Sequence, residues 1–167
     1  MHQAARRGYS SIVKSVSPCA DRPSSMRLAV DALWEALHGT GVSWVGFYLK
    51  ADSAEEMTLG PRRDKPACSP IGLHGACGRA WRDRRPLVVA DVAALGTGYI
   101  ACDPRDRSEV VLPVFDPAGG ACWGVLDLDS HDVGSFSEED VYGLQEVLER
   151  AGLSSRQDWR GRITLIG

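Results

Sequence analysis

No stretch of this 167-residue chain comes near the ~18–20 consecutive apolar residues of a membrane-spanning helix, so a spanning role is not expected. Positive charge is not in excess either. With 19 Lys and Arg against 22 Asp and Glu, the net charge is −3, which gives no electrostatic reason to expect nucleic acid. Arginines do cluster, at Arg62-Arg63, Arg84-Arg85 and Arg105 with Arg107, but aspartates flank each cluster, as on a solvated face. There is no Cys-x-x-Cys pair, and the four histidines are scattered, so zinc is not expected. A secretory apolar segment is also missing, which makes a reducing cytoplasm the expected compartment. In that setting an odd count of five cysteines (Cys19, Cys68, Cys77, Cys102, Cys122) argues against a static disulfide framework. Buried small-hydrophobe cysteines or thiol redox chemistry remain.

What is present fits one ordinary domain. The hydrophobic fraction is 44% and the charged fraction 25%, and no repeat or long linker divides the chain. The first 20 residues carry no acid, a composition faintly like a transit peptide. Tyr9, Ile12, Val13 and Val16 nevertheless stand at helical spacing, which favours a helix packed on the domain. Met26, Val30, Leu33, Trp34 and Leu37 form a second helical stripe, opened by Pro23-Ser24-Ser25 and stopped at Gly39. Val42 to Leu49 reads as a strand, and 51–60 as a polar turn with a short strand. The irregular stretch 61–78 ends in a short helix from Gly75 through Trp81, followed by a strand from Pro86 to Ala90. Residues 91–108 are irregular again, and a stretch of that length is uncommon unless it lines a site. Glu109 to Phe115 and Ala121 to Asp129 flank Asp116-Pro117-Ala118-Gly119-Gly120 as a hairpin. Ser137 with Asp140 then forms a capping box before a helix carrying Val141, Leu144, Leu148 and Ala151. This order predicts an α+β fold, a central antiparallel sheet with N- and C-terminal helices on one face and a ligand pocket on the other. The expected division is a helical segment over 1–22, the domain over 23–153 and an extension over 154–167.

Period-two geometry assigns the strand faces. In the last strand, Leu126 and Leu128 point one way and Trp123, Val125, Asp127 and Asp129 the other. Trp44, Gly46 and Tyr48 share a face of the first strand, opposite Val45, Phe47 and Leu49. A pocket with an aromatic wall, a glycine gap and an acidic floor, which Glu109 could join, is one outcome. Aspartates facing water on a half-exposed sheet is the other.

Six blocks occur in order: Trp44-Val45-Gly46-Phe47-Tyr48-Leu49, Ala67-Cys68, Gly75-Ala76-Cys77-Gly78, Ile100-Ala101-Cys102-Asp103, Ser108-Glu109-Val110-Val111-Leu112-Pro113 and Gly124-Val125-Leu126-Asp127-Leu128-Asp129-Ser130. With Phe136 and the Glu139-Asp140 pair, the chain from about residue 42 to 150 resembles the free methionine-(R)-sulfoxide reductases, a GAF-domain family. It departs from that pattern in two loops. The span from Cys68 to Cys77 is one residue shorter, and Asp91 to Tyr99 is one longer, with Leu95-Gly96-Thr97-Gly98-Tyr99 where the family usually has Phe-Pro-Gly-His.

The resemblance implies an enzyme that reduces free L-methionine-(R)-S-oxide through a sulfenic acid and an intramolecular disulfide, recycled by thioredoxin without metal or organic cofactor. It implies Cys102 as the attacking thiol, Cys68 as its resolving partner and Cys77 as a second redox-active cysteine. It further implies that Glu109, Asp127 and Asp129 line the substrate pocket, with Trp44 and Tyr48 as the aromatic wall. Cys19 and Cys122 match no family cysteine and read as structural. The attacking sulfur must ionise near neutral pH, for which Arg105 and Arg107 are candidates and adjacent Asp103 an opponent. A carboxylic acid kept neutral by its neighbours could protonate the sulfoxide oxygen, and carboxylates could pair with the substrate ammonium. A non-catalytic GAF module binding a small ligand is the alternative, and a thiol redox switch a third reading. Assembly as a homodimer stays open.

Overall fold

Capping chemistry starts the two long helices. Asp21 accepts a hydrogen bond from the Ser24 backbone N–H at 2.7 Å and, with Pro23 in the first turn, launches helix α2 (Arg22–Leu37). Ser137 and Asp140 form the expected capping box of α4 (Glu138–Arg150), the Ser137 N–H donating to Asp140 Oδ2 at 2.8 Å. Two shorter helices are α1 (Ser10–Ser15) and α3 (Ala76–Asp83). The computed structural model describes residues 6–99 and 102–167; residues 1–5 of the N-terminal segment and Ile100-Ala101 of the fourth sequence block lie outside the described residues. Among those described, no helix is long and apolar enough to cross a membrane.

The strands are β1 (Val42–Leu49), β2 (Glu56–Arg63), β3 (Ile71–Gly72), β4 (Leu87–Val89), β5 (Ser108–Phe115), β6 (Cys122–Ser130) and β7 (Thr164–Ile166). They form one seven-stranded sheet in the order β3-β2-β1-β6-β5-β4-β7. Alternation separates two apolar layers. Val45, Phe47, Leu112, Leu126 and Leu128 meet Ile12 of α1, Met26, Val30 and Leu33 of α2, and Val141, Leu144 and Leu148 of α4. Each fully buried side chain of this kind contributes about 1.5–3 kcal/mol. On the opposite face, Trp44, Tyr48, Val111 and Val125 pack with Met57, Ile71 and the α3 residues Ala76, Cys77 and Ala80.

Three features differ from the sequence reading. Trp123 belongs to the helix-side layer, where it stacks on Phe47 with centroids 5.8 Å apart, and not to the Asp127 face. The cause is a bulge: Val114 pairs with Gly124 but Phe115 with Cys122, so one extra residue turns the indole over. The second strand is longer than expected, eight residues reaching Arg63. The third difference is the 154–167 stretch, which folds back onto the sheet. Trp159 is 1% exposed against Phe115, and β7 pairs in parallel with β4, so the sheet is mixed rather than purely antiparallel.

The N-terminal segment is tied down by one arginine. Arg7, its side chain fully buried, donates to Thr40 Oγ1 and O, to Ser135 O and Oγ, and to the Asp140 carboxylate, where the pair is 3.2 Å apart. Asp140 also accepts from the Tyr9 hydroxyl at 2.7 Å.

Candidate active site

Three neighbouring strands place the acids. Asp127 on β6 lies between Gly46 of β1 and Val111 of β5, while Asp129 lies between Trp44 and Glu109. Glu109 and Asp129 are therefore cross-strand neighbours, and Asp127 follows one pleat along the same face. The three carboxyl groups each bring an oxygen within 4.8 Å of the others. Glu109 and Asp127 are buried, and Asp129 is half-buried. Two oxygens, Glu109 Oε1 and Asp127 Oδ1, have no hydrogen-bond partner. Burial, then mutual repulsion, pushes all three acids well above the usual carboxylate range.

The aromatic wall comes from β1. Trp44 and Tyr48 sit two pleats apart with ring centroids 6.1 Å from each other. Gly46 between them is required by close approach, since a Cβ there would overlap the Trp44 ring. Both polar tips reach the loop after β2: Trp44 Nε1 donates to the Lys65 carbonyl at 3.0 Å, and the Tyr48 hydroxyl to the Cys68 carbonyl at 2.9 Å.

Three cysteines surround this floor. Cys77, at the start of α3, is buried and donates its thiol hydrogen to Asp127 Oδ2 at 3.4 Å. Cys68 and Cys102 are exposed on the two irregular segments. Burial, then the neighbouring Cys68 side chain, pushes the Cys102 thiol up to about 12, while the Tyr48 hydroxyl favours its anion. The arginines do not act as expected. Arg105 is engaged by Asp103 (Nη2 to Oδ2, 2.9 Å) and Arg107 by Asp91 (3.7 Å), because adjacent carboxylates compete for each guanidinium.

One cavity is lined by Trp44, Tyr48, Cys77, Cys102, Glu109, Asp127 and Asp129. Cys68 neighbours it through Ala67. Asp106 also lines it, a residue the sequence reading passed over. Its carboxyl is buried, its Oδ1 has no hydrogen-bond partner, and burial followed by the Asp103 charge raises it to about 6. Nothing periodic marks Asp106 in the sequence, since it falls in an irregular segment. A second group of ligand-type atoms, from Asp103, Asp106 and His131, flanks the cavity, but Asp103 Oδ2 is already shared by Lys65, Arg105 and His131.

A curled sheet with α1, α2 and α4 on one face and a thiol- and acid-lined pocket beside α3 on the other defines an α+β domain. The chain belongs to the GAF domain family, whose model matches residues 27–154. It is 41% identical over 107 residues to GAF domain-containing protein A of Dictyostelium discoideum, covering 64% of this chain and 65% of that protein. Over 118 residues it is 39% identical to the free methionine-R-sulfoxide reductase of Escherichia coli (strain K12), covering 70% and 67%. The chain thus spans about two thirds of the length of these curated relatives. Among solved structures it is similar to the free methionine-R-sulfoxide reductase of Neisseria meningitidis in complex with its substrate. There the TM-score is 0.76 at 33% identity, over 91% of this chain and 92% of that one.

Proposed function

We propose that this protein reduces free methionine-(R)-sulfoxide to methionine, with Cys102 as the attacking sulfur, Cys68 as the resolving thiol and a thioredoxin-like dithiol as reductant. The observation that carries this reading is the lining of one cavity by Cys102 together with Glu109, Asp127 and Asp129. Similarity to the Escherichia coli and Neisseria meningitidis reductases supports it.

Burial and mutual repulsion favour the protonated forms of these three acids. An amino acid's ammonium would change that balance. It offers three donors to a site with three orphaned carboxylate oxygens, on Asp106, Glu109 and Asp127, and favours ionisation of the acids it touches. A carboxyl that stays protonated can donate to the sulfoxide oxygen and make the sulfur more electrophilic. Acid assistance matters here because the resting Cys102 thiol is protonated, held up at about 12.

In net terms the oxygen passes from the methionine sulfur to Cys102 Sγ, and the thiol proton ends on that oxygen. The methionine sulfur is reduced by two electrons and Cys102 becomes a sulfenic acid. Cys68 then forms an S–S bond to Cys102, whose S–O bond breaks, and the hydroxyl leaves as water with the Cys68 proton. Exchange with an external dithiol reduces the disulfide.

Incubating the protein with each epimer of free methionine sulfoxide and dithiothreitol tests the proposal. The R epimer should yield methionine, and the S epimer and Cys102→Ser should not. Binding without methionine release would mark a ligand-sensing domain instead, and an undiminished rate in Cys102→Ser would overturn the assignment of the nucleophile.

A further inference from the structure

We propose that the Lys65–Asp103 ion pair is a positioning clasp that holds the Cys68 loop against the Cys102 loop, so that the sulfenic acid on Cys102 is captured promptly by Cys68. The inference rests on the function proposed above and concerns only its second half.

Both cysteines lie on segments without regular structure. Cys68 follows the end of β2 at Arg63, and Cys102 precedes β5, which begins at Ser108. A disulfide demands Cα atoms about 4.4–6.8 Å apart, and untethered loops spend much of their time outside such a window. Lys65 stands three residues before Cys68, and Asp103 directly follows Cys102. Their side chains join the two loops, with Nζ to Oδ2 at 2.6 Å.

The clasp is anchored at both ends. On the Cys68 side, the Lys65 and Cys68 carbonyls accept from Trp44 and Tyr48, so two rigid β1 side chains hold that loop from below. On the Cys102 side, Asp103 Oδ1 accepts from the Arg105 backbone N–H at 3.0 Å, its Oδ2 from Arg105 Nη2 at 2.9 Å, and His131, just past β6, stands 3.3 Å away. Hydrogen bonds from Arg105, then from Lys65 itself, hold the Asp103 carboxyl well below the usual carboxylate range.

An ion pair of which Lys65 is a third exposed adds little to global stability. Its effect is expected in placement, where an ångström of misalignment can slow a bond-forming step severely.

The test is a single turnover. Reduced wild type, Lys65→Met, Lys65→Arg and Asp103→Asn are mixed with methionine-(R)-sulfoxide without reductant and quenched with dimedone over time. Released methionine, dimedone adduct on Cys102 and the Cys68–Cys102 disulfide are then quantified. Lys65→Met should release methionine at the wild-type rate, and both Lys65→Met and Asp103→Asn should keep the wild-type melting temperature. They should form the disulfide more slowly by on the order of tenfold to a hundredfold, with dimedone adduct accumulating. Lys65→Arg should restore capture. Wild-type disulfide kinetics in Lys65→Met would overturn the clasp, as would loss of its methionine burst, which would place Lys65 in substrate binding. Failure of the wild type itself to release methionine would instead overturn the underlying function.

Discussion

Cys77 Sγ donates to Asp127 Oδ2 at 3.4 Å, beneath the cavity that Cys102 also lines. The thiol occupies one carboxylate oxygen and leaves the other, Oδ1, without a partner. Burial, then the Asp127 charge, drives the thiol well above its ordinary range, which favours the protonated form that donates to Asp127. Cys77→Ser preserves a donor and is expected to keep near-wild-type turnover with dithiothreitol. Cys77→Val strips Asp127 of its partner and should cut kcat/KM about tenfold, the equivalent of one lost buried hydrogen bond. Steady-state assays and mass mapping of the disulfide in both variants check this.

Glu109→Gln is expected to trade function for stability. Glu109 lies above its unfolded range, so the folded chain binds more protons than the unfolded one between about pH 4.3 and the raised value. Stability therefore falls as pH rises through that window. The variant should melt higher than wild type at pH 8, with each kcal/mol regained worth about 2–4 °C. It should reduce methionine sulfoxide poorly. Melting curves from pH 4 to 9 provide the measurement.

Acetylating the substrate nitrogen removes the cation and adds bulk where Glu109 and Asp127 present orphaned oxygens. Leaving a buried charge unpaired costs about 3–5 kcal/mol, or roughly two to four orders of magnitude in kcat/KM. N-acetylmethionine sulfoxide should be turned over that much more slowly than the free amino acid in a side-by-side assay.

Gly46→Ala drives a methyl group into the Trp44 ring and pushes the indole toward the cavity. Overpacking of this kind costs about 1–3 kcal/mol. KM should rise about tenfold while the circular dichroism spectrum stays native, a combination read from kinetics and spectra on one preparation.

Arg7→Met breaks a buried ion pair far from the cavity, stranding Asp140 and the Thr40 and Ser135 acceptors. The expected cost is about 3–5 kcal/mol, or on the order of 10 °C in melting temperature, with kcat unchanged at low temperature.

Where a residue's position follows from local periodicity, the sequence was readable. Leu126 and Leu128 went to the helix side and Asp127 and Asp129 to the opposite side because strand alternation demands it. Trp123 escaped because a bulge is a property of pairing, invisible in either strand alone. The β7 strand, three residues long, carries too short a pattern to register, and its parallel partner β4 is 75 residues or more away in the chain. Asp106 and Lys65 sit in irregular segments, where side-chain direction depends on tertiary contacts such as Trp44 Nε1 to Lys65 O. Arg105 and Arg107 were misread for a related reason, since competition between nearby carboxylates is settled only in three dimensions.

The alternation of β6 behaves like a two-letter reading frame. Inserting one residue before Asp127 would present leucines to the ligand and carboxylates to the helices, so catalysis and folding would fail at one stroke. A two-residue insertion preserves the frame and damages only the turn that absorbs it. Change in this strand is thereby confined to substitutions and even-numbered steps, whereas the connecting segments on either side are free to vary in length one residue at a time.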